Sequence, residues 1–309
     1  MLVELVDWNT EAMGVDRAVL FRLATNQQLE RTVRAMPGGE RAAWRAASRY
    51  VAGRTREEAL ATAHQLLARG HGVSVDFFGE LVTDPSTADR VVEDYAALIA
   101  ALPPASSLPA EPADAWVSVD LTHLALDVDP GAAAGRLARI AAALPRGRRV
   151  QVGAEDARRT DAVLGCVLEV AARGLADRLG ATVQANLLRS PGDLDALVGA
   201  HVHVRLVKGA YVEAAGAHPY GEATDVAFLR LGFRLAECGA IWSMATHDVR
   251  LREALLLALG PTPVEQLLGV RPAVLDELHL RGVPTRVYIP YGDDWFRYWM
   301  RRLAESRGA

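Results

Sequence analysis

The sequence predicts an α/β fold, a (β/α)8 TIM-like barrel preceded by an N-terminal helical extension, and three observations lead there. From Gly72 onward, short β-rich runs alternate with helical patterns, which implies a parallel sheet with right-handed crossovers. The chain has 309 residues, 50% of them apolar, enough to bury one core of barrel size. Polar residues gather where the strand-like runs end, the place where a parallel barrel builds its site. An open doubly wound sheet is the alternative, because a count of strands does not show closure. No Gly-x-Gly-x-x-Gly turn follows a strand, which argues against a Rossmann nucleotide-binding unit.

Residues 1–54 are expected to form the extension, from apolar positions at helical spacing in Ala18, Val19, Leu20, Phe21 and Leu23 and again in Ala42, Trp44 and Ala46. Residues 55–309 are expected to form the barrel. Thr55 and Glu58 make a capping box for a helix whose apolar face is Ala59, Leu60, Ala63, Leu66 and Leu67, ending at Gly70. Seven strands are expected at Gly72–Phe78, Trp116–Leu121, Arg149–Val152, Ala181–Leu187, His203–Val207, Ile241–Ala245 and Thr285–Ile289. The eighth, near Pro263–Leu268, has the weakest pattern. The Pro-rich stretch Pro103–Asp114 fits a surface loop.

A formal net charge of −4 with intermixed signs provides no basic stripe, so a small-molecule partner is expected and no nucleic acid. Cys166 and Cys238 lie in apolar helical patterns and are expected to be buried thiols of a reducing compartment. The first residues carry acids and no cleavage site, and no apolar run reaches the roughly 18 residues that span a bilayer. The expectation is a cytoplasmic protein, open to peripheral contact at the inner face of the membrane. No metal site is expected. Among 34 basic residues there is one lysine, Lys208, which suggests a position that needs a compact ammonium.

The polar strand ends are Asp76 and Glu80; Asp120 and His123; Glu155 and Asp156; Gln184 and Asn186; Arg205 and Lys208; and Thr246-His247-Asp248. On the last helix Tyr298, Arg301, Arg302 and Glu305 are spaced to share one face. Two adjacent guanidiniums beside a tyrosine can form a fork for a carboxylate or phosphate. The plainer reading is the solvated basic end of a C-terminal helix.

At these residues the chain resembles the proline dehydrogenase family. The most specific motif is VRLVKGAY (Val204–Tyr211), joined in the same order by ATHD (Ala245–Asp248) and VYIPYGDDWFRYWMRRLAE (Val287–Glu305). Weaker collinear matches are DFFGE (Asp76–Glu80), EDARRTD (Glu155–Asp161) and VQANL (Val183–Leu187), so the likeness runs from about Thr55 to Arg307. The resemblance implies FAD and oxidation of L-proline to Δ1-pyrroline-5-carboxylate by hydride transfer to flavin N5, with electrons passed to a quinone or another acceptor. It also implies roles. Arg205 would lie near flavin N5 and stabilise the reduced, anionic ring, and Gln184 would hydrogen-bond the ring edge. Lys208 and His247, with Thr246 beside them and Gly209 in the same turn, would contact the pyrophosphate. Ala210 and Tyr211 would pack on the ring. Arg301 and Arg302 would hold the substrate carboxylate, Tyr288 and Tyr298 would wall the imino-acid ring, and Glu80 would pair with Arg301.

The chain also departs from the family. Asp120 stands where the family has a carboxylate-binding lysine, and Gly153 where it has an acid at the end of the third strand, with Glu155 kept nearby. The seventh-strand signature Phe-Glu-Phe-Gln is here Pro263-Val264-Glu265-Gln266, and Asn186 replaces a common tyrosine. If Asp120 faces the pocket it would repel a carboxylate. A relative acting on a proline analogue, a substituted cyclic imino acid or a carrier-bound derivative is therefore a second reading. Two further readings are a Schiff-base lyase using Lys208 and a non-catalytic flavin-binding protein.

Overall fold

A computed structural model of the chain describes residues 27–104 and 114–306, leaving aside the side chains at 27–29, 301 and 303–306. Eight parallel strands close into a barrel in sequence order: β1 Gly72–Phe77, β2 Ala115–Val119, β3 Val150–Val152, β4 Leu179–Gln184, β5 His203–Val207, β6 Trp242–Ala245, β7 Val264–Leu267 and β8 Thr285–Tyr291. The closing seam pairs β1 with β8 from Gly72 opposite Arg286 to Phe77 opposite Tyr291. This closure rules out the open doubly wound sheet. The weakest expected strand, β7, is present and pairs with both β6 and β8. β4 runs from Leu179 to Gln184 rather than 181 to 187, so Asn186 lies beyond the strand.

Helices α1 (Gln27–Ala35), α2 (Gly39–Ala47) and α3 (Arg56–Ala68) precede the first strand. Thr55 caps α3 with both halves of the expected capping box formed. Among the described residues each strand is then followed by one α-helix: α4 Pro85–Ala101, α5 Pro130–Ala143, α6 Thr160–Val170, α7 Ser190–Gly199, α8 Glu222–Glu237, α9 Val249–Leu259, α10 Pro272–Leu280 and α11 Trp295–Ser306. The expected helix around residues 18–23 and most of the Pro-rich loop lie outside the described residues.

Alternation along each strand separates two layers. Val73, Val75, Val117, Val119, Val150, Val152, Val204 and Leu206 belong to the apolar core and are fully buried. The opposite faces meet along the barrel axis, where Ser74, Gln151, Thr182, His203, Arg205, Ser243 and Glu265 hydrogen-bond one another across strands. A second cluster sits at the mouth: Ala43, Ala47, Tyr50 and Val51, from α2 and the segment after it, pack on Trp295, Phe296 and Tyr298 of α11. Trp44 meets Trp295 edge-on with centroids 5.1 Å apart. Both cysteines are free, but only Cys166 is buried; Cys238 follows the last residue of α8 and is exposed, correcting the expectation for that residue.

Candidate active site

Arg205 is a buried cation on β5. Its guanidinium crosses the axis from β5 to β7, with Nε donating to Glu265 at 2.8 Å, Nη2 lying 2.6 Å from the same carboxylate, and Nη2 reaching Ser74 Oγ at 3.4 Å. Ser243 donates to the other oxygen of Glu265 at 2.5 Å. Burial alone would raise the Glu265 carboxyl, but Arg205 and then Arg286 hold it below its ordinary value, so the pair is ionised. Glu265 thus anchors the predicted Arg205, although the seventh-strand motif matched the family poorly in sequence.

Three residues further on, just past the end of β5, Lys208 reaches the rim. Its Nζ lies 2.5 Å from Asp225 of α8 and 3.4 Å from Asp248, the N-cap of α9, with the Tyr220 ring 5.5 Å away. Partial burial would lower its pKa, but Asp225, then Asp248 and Tyr220, push it up. The side chain is an ammonium at a half-open rim. Gly209 follows with φ +111°, and a Cβ there would lie 1.9 Å from Asn186 Oδ1. Only glycine allows this turn to press against Asn186.

Thr246 and His247 follow the last residue of β6 beside this rim. Thr246 Oγ1 accepts from the Asp248 amide at 3.1 Å. His247 Nε2 accepts from the Leu267 amide at 3.5 Å, and its buried Nδ1 has no hydrogen-bond partner among the described residues. Burial, aided by Arg302, Arg271 and Arg252, lowers its pKa to about 4, so the ring is neutral. Asn186 Oδ1 and Gln266 Oε1 are also buried without partners among the described residues. Gln184 is buried and donates from Nε2 to the Glu155 carbonyl at 2.8 Å, and the Tyr211 hydroxyl donates to the Ala154 carbonyl at 3.1 Å. Ala210, half-buried, precedes that tyrosine.

Opposite lies a cavity of about 200 Å³ whose lining includes Asp76, Glu80, Asp120, Tyr288, Arg297 and Tyr298. Tyr288 donates a very short hydrogen bond to Asp76, which Tyr95 also approaches at 3.2 Å. Burial, then the Asp76 charge, raises the Tyr288 phenol well above its usual range. The rings of Tyr288 and Tyr298 stand 6.2 Å apart, and the Arg302 guanidinium lies 4.8 Å from the centre of the Tyr298 ring. Glu80 meets Arg297 at 3.5 Å, one helical turn before Arg301. The side chains of Arg301 and Glu305 lie outside the described residues, so the expected Glu80–Arg301 pair does too. Sequence reasoning missed Arg297, although it lies four residues before Arg301 and so on the same helical face.

The family description "Proline dehydrogenase" matches residues 59–309, most of the chain. The chain belongs to the proline dehydrogenase family. It is 30% identical over 302 residues to the proline dehydrogenase of Deinococcus radiodurans, covering 94% of each chain. It is 32% identical over 268 residues to proline dehydrogenase 1 of Bacillus subtilis, covering 84% of this chain and 86% of the relative. Among solved structures, proline utilization A of Bdellovibrio bacteriovorus, inactivated by N-propargylglycine, superposes with a TM-score of 0.78 at 20% identity. That likeness covers 94% of this chain but 36% of the longer protein, and it supports the fold alone.

The residues present suit the family's flavin. A rim ammonium suits a diphosphate, and buried polar atoms on His247, Asn186 and Gln266 that have no hydrogen-bond partner among the described residues suit a polar ring edge.

Proposed function

We propose that the protein oxidises L-proline to Δ1-pyrroline-5-carboxylate with FAD as its flavin, at the C-terminal mouth of the barrel. The observation that carries this reading is the depth separation along one family motif: Arg205 is fixed on the axis by Glu265, while Lys208 stands at the rim. A flavin ring and its diphosphate call for charge at those two depths. The catalytic unit is residues 55–309, with residues 1–54 as a helical extension.

Bound FAD supplies the hydride-accepting chemistry. Lys208 and neutral His247, with Thr246 and the Gly209 turn, would hold its diphosphate, and Ala210 and Tyr211 would pack against the ring. Gln184, whose amide N–H is already bound to Glu155, keeps its carbonyl oxygen for the ring edge. Arg205 provides fixed positive charge where the acceptor gains negative charge, and Glu265 prevents its reorientation. Arg301 and Arg302 grip the substrate carboxylate through paired, charge-assisted bonds. Tyr288 and Tyr298 wall the ring, and Tyr288 does not act as a base because its proton is committed to Asp76. Glu80, paired with Arg297, closes the outer side and excludes water.

Electrons leave to a quinone or another acceptor, with peripheral membrane contact; no helix among the described residues is long and apolar enough to cross a bilayer. The Schiff-base reading is disfavoured by Lys208 itself, because an ammonium held between two carboxylates is not a nucleophile. Oxidation of a substituted cyclic imino acid is the second reading, favoured by Asp120 in the cavity wall. The test is product formation: the FAD-loaded protein, given L-proline and an artificial acceptor, should form a pyrroline that o-aminobenzaldehyde traps as a coloured adduct. No adduct from L-proline, with turnover of a substituted ring, would select the second reading.

A further inference from the structure

We propose that Arg286 is a second axial cation, a positioning residue that leaves the barrel axis with net positive charge once Glu265 is taken up by Arg205, and so raises the reduction potential of the flavin bound above. The inference rests on the proline-oxidising reading of the site.

The register of β8 places the residue. Arg286 stands opposite Gly72 of β1 on one side and opposite Glu265 of β7 on the other. A Cβ added at Gly72 would come within 3.1 Å of the guanidinium carbon, so the bare backbone there leaves the space that the group occupies. The Trp116 ring covers the guanidinium with its centre 3.4 Å away, and His203 meets the same ring edge-on at 5.0 Å. His203 precedes Arg205 on β5 by two residues, roughly 7 Å of strand. Arg286 therefore shares the layer of His203, one below the Arg205–Glu265 pair.

The charge of Arg286 is not spent on a carboxylate. The side chain is 9% exposed, and the hydrogen bonds it makes among the described residues go to main-chain carbonyls, from Nη1 to Val73 at 2.6 Å and to Asp114 at 3.0 Å. Two carboxylates act on it from further away, but Glu265 is bonded to Arg205 and Ser243, and the Asp114 side chain pairs with Arg148 at 3.2 Å. Burial lowers the Arg286 pKa to about 10, which keeps the group charged at neutral pH. His203 is neutral, and Arg149, 5.1 Å from the same Trp116 ring, is a further cation, so neither neighbour cancels the charge.

A buried cation held by carbonyls alone is costly, and packing by itself would favour a neutral donor at this position. The charge acts instead on the chemistry above. A hydride carries two electrons and one proton, so its arrival adds one negative charge to the acceptor, and a fixed cation in a dry barrel stabilises that product. Across two layers of strand, about 13 Å, at an effective dielectric of about 20, one charge shifts the reduction equilibrium by roughly tenfold.

Three variants separate the charge from the packing. Arg286→Gln keeps a donor for the carbonyls without charge, Arg286→Met keeps apolar cover for Trp116, and Arg286→Lys keeps the charge. Each is loaded with FAD and reduced chemically, and its potential is read against a reference dye. Arg286→Gln and Arg286→Met should shift the equilibrium towards oxidised flavin by roughly tenfold, about 30 mV for a two-electron couple, while Arg286→Lys stays within roughly threefold of the parent. An arginine with only a structural role would lower Tm when replaced and leave the potential unchanged. Arg286→Gln with the parent's potential, or Arg286→Lys shifted as far as Arg286→Gln, overturns the proposal. Because the potential is read without proline, a parent that holds FAD but is not reduced by L-proline refutes the functional reading and leaves this test intact. A protein that takes up no FAD refutes both.

Discussion

Removing the Glu265 charge tests whether the barrel's axial arginine is held by one carboxylate. At 2.6–2.8 Å and an effective dielectric of about 20, the attraction between Glu265 and Arg205 is about 6 kcal/mol, before the cost of taking both groups out of water. Glu265 is 3% exposed and Arg286 lies close enough to influence its ionisation, so its loss leaves two cations in a dry interior. Breaking one partner of a buried pair typically costs about 3–5 kcal/mol. Glu265→Gln keeps the shape and an acceptor for Ser243 but not the charge. At about 2 °C per kcal/mol for a large domain, its Tm should fall by about 6–10 °C. The assay is thermal unfolding with and without added FAD, alongside flavin reduction by L-proline. Arg205→Met/Glu265→Leu, which removes both charges, should recover most of the stability while leaving reduction slow. A Tm within about 1 °C of the parent for Glu265→Gln, where several degrees are expected, would mean that Arg205 is satisfied without Glu265.

Further outcomes concern the rim, the clamp and acid stability. Lys208→Ala should weaken FAD by roughly 10- to 100-fold, the range of a charge-assisted hydrogen bond of about 1.5–3 kcal/mol, measured by titrating FAD into the apoprotein. Arg301→Ala and Arg302→Ala should each weaken a carboxylate substrate by about 2–5 kcal/mol while FAD stays bound, read as KM for L-proline beside flavin absorbance. His123 and His247, with pKa about 4, and His203, with pKa about 3, are neutral because burial disfavours their charged forms. The unfolded chain binds protons first, near the ordinary value of 6.5, so stability falls as pH drops from there towards 4. Each histidine should contribute about 2 kcal/mol of loss by pH 5, and a Tm that is flat between pH 7 and 5 would contradict their neutrality.

The strands were legible because a strand of a parallel barrel packs against helices on one side and the axis on the other, which leaves short apolar runs such as Val73, Val75 and Val204, Leu206. β7 was weakest because its axial residue is Glu265, whose partner Arg205 lies 60 positions away and comes beside it only on closure. The start of β4 was missed because Gly180 interrupts the pattern between Leu179 and Ala181. Local spacing marked Cys238 as helical but not its place just past the end of α8, where the chain turns outward. Arg205, Lys208, Gly209, Ala210 and Tyr211 were visible as one contiguous motif, with Gln184, Thr246 and His247 in separate stretches. The closeness of Asp120 and Gly153 was not, because it depends on the register that sets the ends of β2 and β3 abreast.

Anaerobic mixing of the FAD-loaded protein with L-proline tests directly whether the barrel mouth presents a bound flavin to a cyclic imino acid. The flavin's visible band should bleach at a rate that saturates with proline, and Arg205→Met should slow it without releasing the flavin. A band unchanged by L-proline and by every substituted ring, in protein that retains its FAD, would contradict the account.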